Sequence, residues 1–110
     1  MEFRLEEHLE RQYEWSKKTF GPGARRHGLV NHIKKELDEV LLDPDDLSEW
    51  VDIIILACDG ALREGFTPDE IVRGLVEKQR INEERKWPDW RNFHEGEAIE
   101  HIRESDRKVS

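Results

Sequence analysis

Hydrophobic residues recur along the chain at helical spacing, and no segment shows the strict alternation that is typical of a β-strand. In the second quarter of the chain, Val30, Ile33, Leu37 and Val40 follow one another at intervals of three or four. Turn and breaker residues, such as Gly21-Pro22-Gly23, separate the periodic segments. The predicted helices run over about Glu2–Lys18, Leu29–Leu42, Leu47–Arg63, Thr67–Lys86 and, more weakly, Glu95–Glu104.

The turns and caps between these segments predict how the helices are arranged. The short turn Asp43–Asp46 favours an antiparallel hairpin of the second and third helices. Thr67 and Glu70 stand at the two positions of a capping box and begin the fourth helix. We therefore predict an all-α fold, an antiparallel bundle of four main helices plus a short C-terminal helix. It forms a single domain over residues 1–110, with the last residues frayed.

Composition narrows the classes of partner. The chain has 110 residues, of which 40% are charged, and a formal net charge of -8. A nucleic acid or an anionic membrane needs clustered Lys and Arg, so neither is expected as the main partner. The longest apolar run, Ile53–Cys58, is far too short to cross a bilayer. A single Cys excludes an intramolecular disulfide and suits a reducing cytoplasm.

The third helix is apolar around its whole circumference, which indicates burial on all sides. In so short a chain, part of that surface is expected to be covered by another subunit, and we predict a homodimer or homotetramer. Yet Glu49, Asp52 and Asp59 share one narrow stripe of this helix at 100° per residue. Ionised carboxylates buried without partners cost several kcal/mol each, so these acids require cations.

The second helix carries a similar set of acids. Glu36 and Glu39 are neighbours on the face that borders its apolar stripe, and His32 precedes them by one turn. Across the hairpin, these two acids face Glu49 and Asp52. Four converging carboxylates repel one another unless a divalent cation lies among them. Oxygen ligands select Mg²⁺, with Mn²⁺ as a substitute. The alternative is that the acids form salt bridges with Arg and Lys of other helices.

A line of polar and cationic residues extends the inner face of the fourth helix. Lys78, Asn82 and Arg85 follow the apolar positions of that face toward its C-terminal end. Lys and Arg so spaced suit a polyphosphate, although they also suit ion pairs with the acids. Trp87 and Trp90 flank Pro88, where they would stack on a base or close the end of the bundle. Arg25, at the start of the predicted basic loop Arg25–Gly28, is a further phosphate candidate.

Two tracts together resemble a known signature. Lys35-Glu36-Leu37-Asp38-Glu39 followed by Glu49-Trp50-Val51-Asp52 is similar to the E-E-x-x-E … E-x-x-D pattern of the MazG-like, all-α NTP pyrophosphatases. The resemblance is closest to the branch of dATP/dGTP diphosphohydrolases and covers roughly Leu9 to Ile102. The tracts of this sequence that resemble that branch are Trp15-Ser16 to Gly21-Pro22-Gly23, His32-Ile33 to Val40, Glu49 to Gly60 and Lys78-Gln79 to Trp90.

This resemblance implies that Glu36, Glu39, Glu49 and Asp52 hold Mg²⁺, and that the protein assembles as a dimer or a larger oligomer. It also implies that Lys78, Asn82 and Arg85 lie near the nucleotide. Two departures from the pattern matter. Lys35 replaces the first Glu of the signature, and the spacer of nine residues between its halves is short. Trp87 and Arg25 complete the predicted substrate contacts, while His32 and Asp59 are expected to support the metal ligands from behind.

Three hypotheses about function follow. The first is a Mg²⁺-dependent enzyme that hydrolyses a nucleoside triphosphate to the monophosphate and pyrophosphate, with Glu36 or Glu39 as the base. The second is a nucleotide-sensing or partner-binding module that has lost catalysis, for which Lys35 leaves room. The third is a purely structural helical dimer. Release of pyrophosphate separates the first from the second, and stabilisation by Mg²⁺ and nucleotide separates both from the third.

Overall fold

The computed structural model of the chain describes residues 2–103. Within that range the protein is helical and contains no strand, which confirms the predicted all-α class and its four main helices. The third helix has the predicted bounds. The elements are α1 (Leu5–Phe20), α2 (Arg26–Leu42), α3 (Leu47–Arg63), α4 (Pro68–Glu84) and a short 3₁₀ helix (Trp90–Asn92).

Side-chain caps fix the starts of α3 and α4. At the start of α4, the Thr67 hydroxyl accepts a hydrogen bond from Glu70 N, and Thr67 N donates to Glu70 Oε1, both at 3.1 Å. This reciprocal pair confirms the predicted capping box. Asp46 caps α3 by accepting a bond of 2.9 Å from Ser48 N. These bonds satisfy backbone donors that the first turn of each helix leaves free.

The basic segment before α2 is largely helical, so the prediction of a loop over Arg25–Gly28 is wrong. Helix α2 begins at Arg26, and Leu29 N donates to Arg25 O at 2.9 Å. A glycine in a helix costs only about 1 kcal/mol, and Gly28 therefore does not stop the first turn. The Arg26 side chain also bonds to Glu64 at 2.7 Å, which ties the start of α2 to the end of α3.

The weak C-terminal helix predicted over Glu95–Glu104 is not formed in its described part, residues 95–103. The backbone there makes a turn, in which His94 N donates to Glu97 Oε1 at 2.9 Å. Ile102 N then donates to Lys86 O at 2.8 Å. So short a helix is marginal in water, and these non-helical bonds replace it. Glu104 and the predicted frayed end lie outside the described residues.

Backbone contacts divide the chain into two compact units, the first ending at Gly74 and the second beginning at Leu75. The predicted single domain stays a prediction. In the first unit, α3 packs against both α1 and α2. The hydrophobic side chains that are buried in residues 2–103 are Leu9, Leu29, Val40 and Leu62. No described helix is long and apolar enough to cross a membrane.

Candidate functional site

The α2–α3 hairpin brings together three of the four predicted metal ligands. One carboxylate oxygen each of Glu36, Glu49 and Asp52 lies within 4.8 Å of the others. Glu36 is buried, with 8% of its surface exposed, Glu49 is half-buried and Asp52 is exposed. The exposure of Asp52 differs from the burial expected for the third helix, because this stripe of α3 borders a cavity. The group thus has a buried side and an open side.

Two buried oxygens of this group have no hydrogen bond partner, namely Oε2 of Glu36 and Oε2 of Glu49. Burial raises the pKa of Glu36, and the neighbouring carboxylates of Glu39 and Asp52 raise it further. Burial also raises the pKa of Glu49, with the charge of Glu39 as the next cause. Glu36 and Glu49 therefore resist ionisation beside the neighbouring carboxylates, and a cation among them would relieve that repulsion.

Glu39 and His32 flank the group on α2. Glu39 lies beside Glu36 and acts on the pKa of both Glu36 and Glu49. Its oxygens are outside the group of three, and its role as a fourth ligand stays a prediction. Nε2 of His32 lies 3.2 Å from Oε1 of Glu36, where it is placed to orient that carboxylate. Lys35, which replaces an acid of the signature, is exposed.

The donor set fits a hard divalent cation. It consists of carboxylate oxygens, which Mg²⁺ and Mn²⁺ prefer, and it lacks the Cys and multiple His ligands typical of Zn²⁺. The buried oxygens without partners supply lone pairs that the described protein leaves unused. The open side at Asp52 leaves room for water or phosphate oxygens, which Mg²⁺ usually keeps as ligands.

Neutralising one buried acid is expected to stabilise the metal-free protein. Glu36→Gln removes a buried charge that lies beside other carboxylates, and the midpoint of thermal unfolding in EDTA should rise by a few degrees. The same variant should lose most of the stabilisation that millimolar Mg²⁺ gives to the wild type. Thermal unfolding with and without Mg²⁺ tests both effects, and the exposed Glu10→Gln is the matched control. An unchanged response to Mg²⁺ would remove Glu36 from the ligand set.

A cavity of about 210 Å³ opens beside the carboxylates within the first unit. Glu36 and Asp52 form part of its lining, and α1 supplies another part, a wall that includes Gln12, Trp15 and Phe20. The Trp15 and Phe20 rings meet edge to face, with centroids 5.4 Å apart. The cavity therefore has an acidic end and an aromatic wall.

A buried polar network connects α1 with the end of α3. Ser16 donates to Oδ2 of Asp59 at 2.9 Å and accepts a bond of 2.8 Å from Arg63. Nη1 of Arg63 also donates to the carbonyls of Gly21 and Gly23, at 2.6 and 2.8 Å. Asp59, which was predicted to support the ligands, lines the same cavity as Glu36 and is held by Ser16 and Arg63.

Arg25 immediately precedes α2 and contacts Phe20, one of the residues that line this cavity. Its backbone adopts the left-handed conformation, with φ 48°, which costs a non-glycine residue about 1–2 kcal/mol. The guanidinium carbon lies 5.1 Å from the centre of the Phe20 ring, which also lines the cavity. Strained residues of this kind are concentrated at functional sites. Its predicted contact with phosphate stays a prediction.

The other predicted substrate contacts lie in the second unit. Arg85 donates to Oδ1 of Asn82 at 3.2 Å, and the Trp87 indole donates to the Asn82 carbonyl at 2.7 Å. Burial lowers the pKa of His101, and the positive charges of Arg85 and Lys78 lower it further. The residues Lys78, Asn82, Arg85 and Trp87 thus form one local group, and their contact with a nucleotide stays a prediction.

Sequence reasoning missed the contribution of α1. Gln12 and Ser16 are buried, at 8% and 1% exposure, although both are polar. With Leu9 they follow helical spacing on one face, so the signal that revealed the acids of α3 was present in α1 as well. Arg63 was also missed, because an Arg in the last turn of a helix is ordinary.

Comparison with known proteins gives two matches. Residues 8–107 match the family described as dATP/dGTP pyrophosphohydrolase. The chain is also 38% identical, over 104 residues, to the Eaa protein of Salmonella phage P22. That alignment covers 94% of this chain but only 32% of the phage protein, so the chain spans about a third of that relative's length. No solved structure is similar enough to count as a match.

Proposed function

The chain belongs to the dATP/dGTP pyrophosphohydrolase family, and from this premise we propose that it hydrolyses a deoxynucleoside triphosphate to the monophosphate and pyrophosphate. The observation that carries the proposal is the convergence of Glu36, Glu49 and Asp52, with oxygens within 4.8 Å of one another. Two buried oxygens there lack hydrogen bond partners, as expected for a centre that binds a cation. The resemblance of the whole chain to one family supports the same reading.

Glu36, Glu49 and Asp52 would hold Mg²⁺, with Glu39 as the fourth predicted ligand and Mn²⁺ as a substitute. When bound, such an ion polarises phosphate oxygens and lowers the pKa of a coordinated water. His32, 3.2 Å from Glu36, would keep that carboxylate oriented toward the centre. The open side of the group, at the exposed Asp52, is where the phosphates would enter.

In the proposed step, the oxygen of a water molecule forms a bond to the α-phosphorus of the substrate. The bond between that phosphorus and the α–β bridging oxygen breaks, and pyrophosphate leaves. Glu39 or Glu36 accepts the proton of the water. Glu39 is the better candidate, because its oxygens lie outside the group of three while it remains adjacent to Glu36.

Cationic side chains would stabilise the charge of the leaving pyrophosphate. We assign this role to Lys78 and Arg85, whose positive charges both contribute to the lowered pKa of His101. Arg25 is a further candidate from the first unit, because its guanidinium lies over the ring of Phe20, which lines the cavity. The roles of Asn82 and Trp87 would be to orient Arg85 and to contact the nucleotide.

We further propose that the protein acts as a homodimer or homotetramer. Helix α3 exposes 60% of Ile54 and 48% of Trp50, and Leu42 at the end of α2 is 85% exposed. Exposed apolar side chains on neighbouring helices favour an interface with a second subunit. The substrate would be met in the cytoplasm, a reducing compartment compatible with the free Cys58.

The decisive experiment measures pyrophosphate release from each common dNTP and NTP, with Mg²⁺ and with EDTA. We expect release that requires Mg²⁺, a nucleoside monophosphate as the co-product, and no free phosphate. A protein that binds Mg²⁺ and nucleotide but does not hydrolyse the nucleotide would instead be a sensor. A protein whose thermal stability responds to neither would be a structural dimer, and the proposed activity would be wrong.

A further inference from the structure

The wall that α1 contributes to the cavity has the character of a base-binding surface. Trp15 and Phe20 line the cavity as an edge-to-face pair, yet they remain 55% and 45% exposed. Large aromatic rings left open at a cavity that reaches the carboxylates offer a flat apolar face. Stacking of a nucleobase on such a face contributes about 1–3 kcal/mol.

Gln12 supplies the polar feature of the same wall. Its Nε2 donates to the Ile55 carbonyl at 2.9 Å, whereas its Oε1 is buried without a hydrogen bond partner. The bond to Ile55 fixes the orientation of the amide, because the opposite orientation would bring two acceptors together. Only 8% of the surface of Gln12 is exposed, so this unused acceptor is shielded from water.

Among the described residues that line this cavity, the buried side-chain atoms without a hydrogen bond partner are acceptors: Oε1 of Gln12, Oε2 of Glu36 and Oδ1 of Asp59. Oδ1 of Asp59 forms an ion pair with Nε of Arg63 at 3.5 Å, so Gln12 is the uncharged acceptor that is left for a ligand. The Ser16 hydroxyl, a potential donor, is already committed to Asp59. A ligand in the cavity therefore binds most favourably if the edge that it turns toward Gln12 carries N–H donors.

We propose, on the basis of the triphosphate hydrolysis proposed above, that this cavity holds the nucleobase and that Gln12 selects bases that carry an amino group. Trp15 and Phe20 provide the stacking surface. Oε1 of Gln12 is shielded from water, so the side chain turns slightly toward the base as it accepts a hydrogen bond from the amino group. Thymine and uracil present an N–H between two carbonyl oxygens, which these acceptors repel.

The test is a double-mutant cycle between protein and substrate. We compare dATP with its analogue that lacks the 6-amino group, and dGTP with dITP, which lacks the 2-amino group. In the wild type, loss of the relevant amino group should lower kcat/KM by about tenfold, the equivalent of one hydrogen bond. Gln12→Met keeps the length of the side chain but removes its amide acceptor. In this variant the ratio of kcat/KM for the natural substrate to kcat/KM for its analogue should fall from about ten to about one. An unchanged ratio in both pairs overturns the proposal.

A second variant, together with a ligand that has no base, distinguishes a specific effect on base binding from misfolding. Trp15→Ala removes an exposed ring and should raise KM by about tenfold, whereas inhibition by inorganic tripolyphosphate should stay as in the wild type. If both variants lose tripolyphosphate inhibition as well, their role is merely structural and the proposal is wrong. Should the wild type release no pyrophosphate, the proposed activity fails separately. In that case, the dissociation constants of each nucleotide and its analogue are compared in Mg²⁺ for the wild type and Gln12→Met. Their ratios then decide whether Gln12 distinguishes the bases.

Discussion

Asp52→Asn is expected to lower the rate of pyrophosphate release by roughly 10³-fold, the size of effect produced by losing one strong electrostatic contact in an active site. The substitution keeps the shape of the side chain but removes its charge. Asp52 is the exposed member of the group formed with Glu36 and Glu49, on the side where phosphates would enter. Under the proposed function, loss of this charge would weaken both the binding of the cation and the contact that the cation shares with the substrate.

The matched control for this variant is Asp38→Asn, an exposed acid on the solvent side of α2. Both proteins are measured for pyrophosphate release and for the rise in thermal unfolding midpoint on addition of Mg²⁺. Asp38→Asn should behave as the wild type in both assays. Near-normal hydrolysis by purified Asp52→Asn would exclude this carboxylate from the catalytic centre, whatever its effect on stability.

Arg63→Ala is expected to destabilise the fold by about 3–5 kcal/mol, because it leaves a buried carboxylate without its cation. The side chains of Arg63 and Asp59 are 2% and 6% exposed. Arg63 also donates to the carbonyls of Gly21 and Gly23, which would lose their partner. For a domain of this size the loss corresponds to a fall of more than about 10 °C in the thermal unfolding midpoint.

Helix α4 offers a close control for that experiment. Asp69 and Arg73 form an ion pair with the same i, i+4 spacing, but their side chains are 70% and 72% exposed. Arg73→Ala should therefore cost less than about 1 kcal/mol. The double variant Asp59→Asn, Arg63→Met removes both buried charges and should be more stable than Arg63→Ala alone. Equal unfolding midpoints for Arg63→Ala and Arg73→Ala would contradict the role given to the buried network.

The acids of the hairpin were predictable from sequence because a charge within an apolar helical stripe is a local and unusual signal. Glu36 and Glu49 stand out in this way, and the tight turn between α2 and α3 fixes which helix faces which. The capping residues of α4 are equally local, since Thr67 and Glu70 each bond to the other's backbone N–H within a single turn. Patterns within about twenty residues were thus sufficient for the fold class and for the acidic half of the site.

The other half of the site depends on contacts between distant parts of the chain. Gln12 meets Ile55 across a separation of 43 residues, and Arg63 meets Ser16 across 47. Gln12 shares a helical face with Leu9, but neutral polar residues are common on helix surfaces, so this spacing was a weaker signal than a buried charge. The C-terminal segment was misjudged for a similar reason, because the bond from Ile102 to Lys86 overrides a weak local preference for helix.

The placement of Glu36, Glu39, Glu49 and Asp52 on one helical hairpin also bears on how the chain reaches its native state. Contacts between neighbours in sequence form early in folding, whereas the wall supplied by α1 must wait for closure of a much longer loop. The charges of the neighbouring carboxylates raise the pKa of Glu36 and Glu49, so their mutual repulsion opposes closure of the hairpin. We therefore expect added salt and divalent cations to accelerate closure of this hairpin, because both offset the repulsion among its carboxylates.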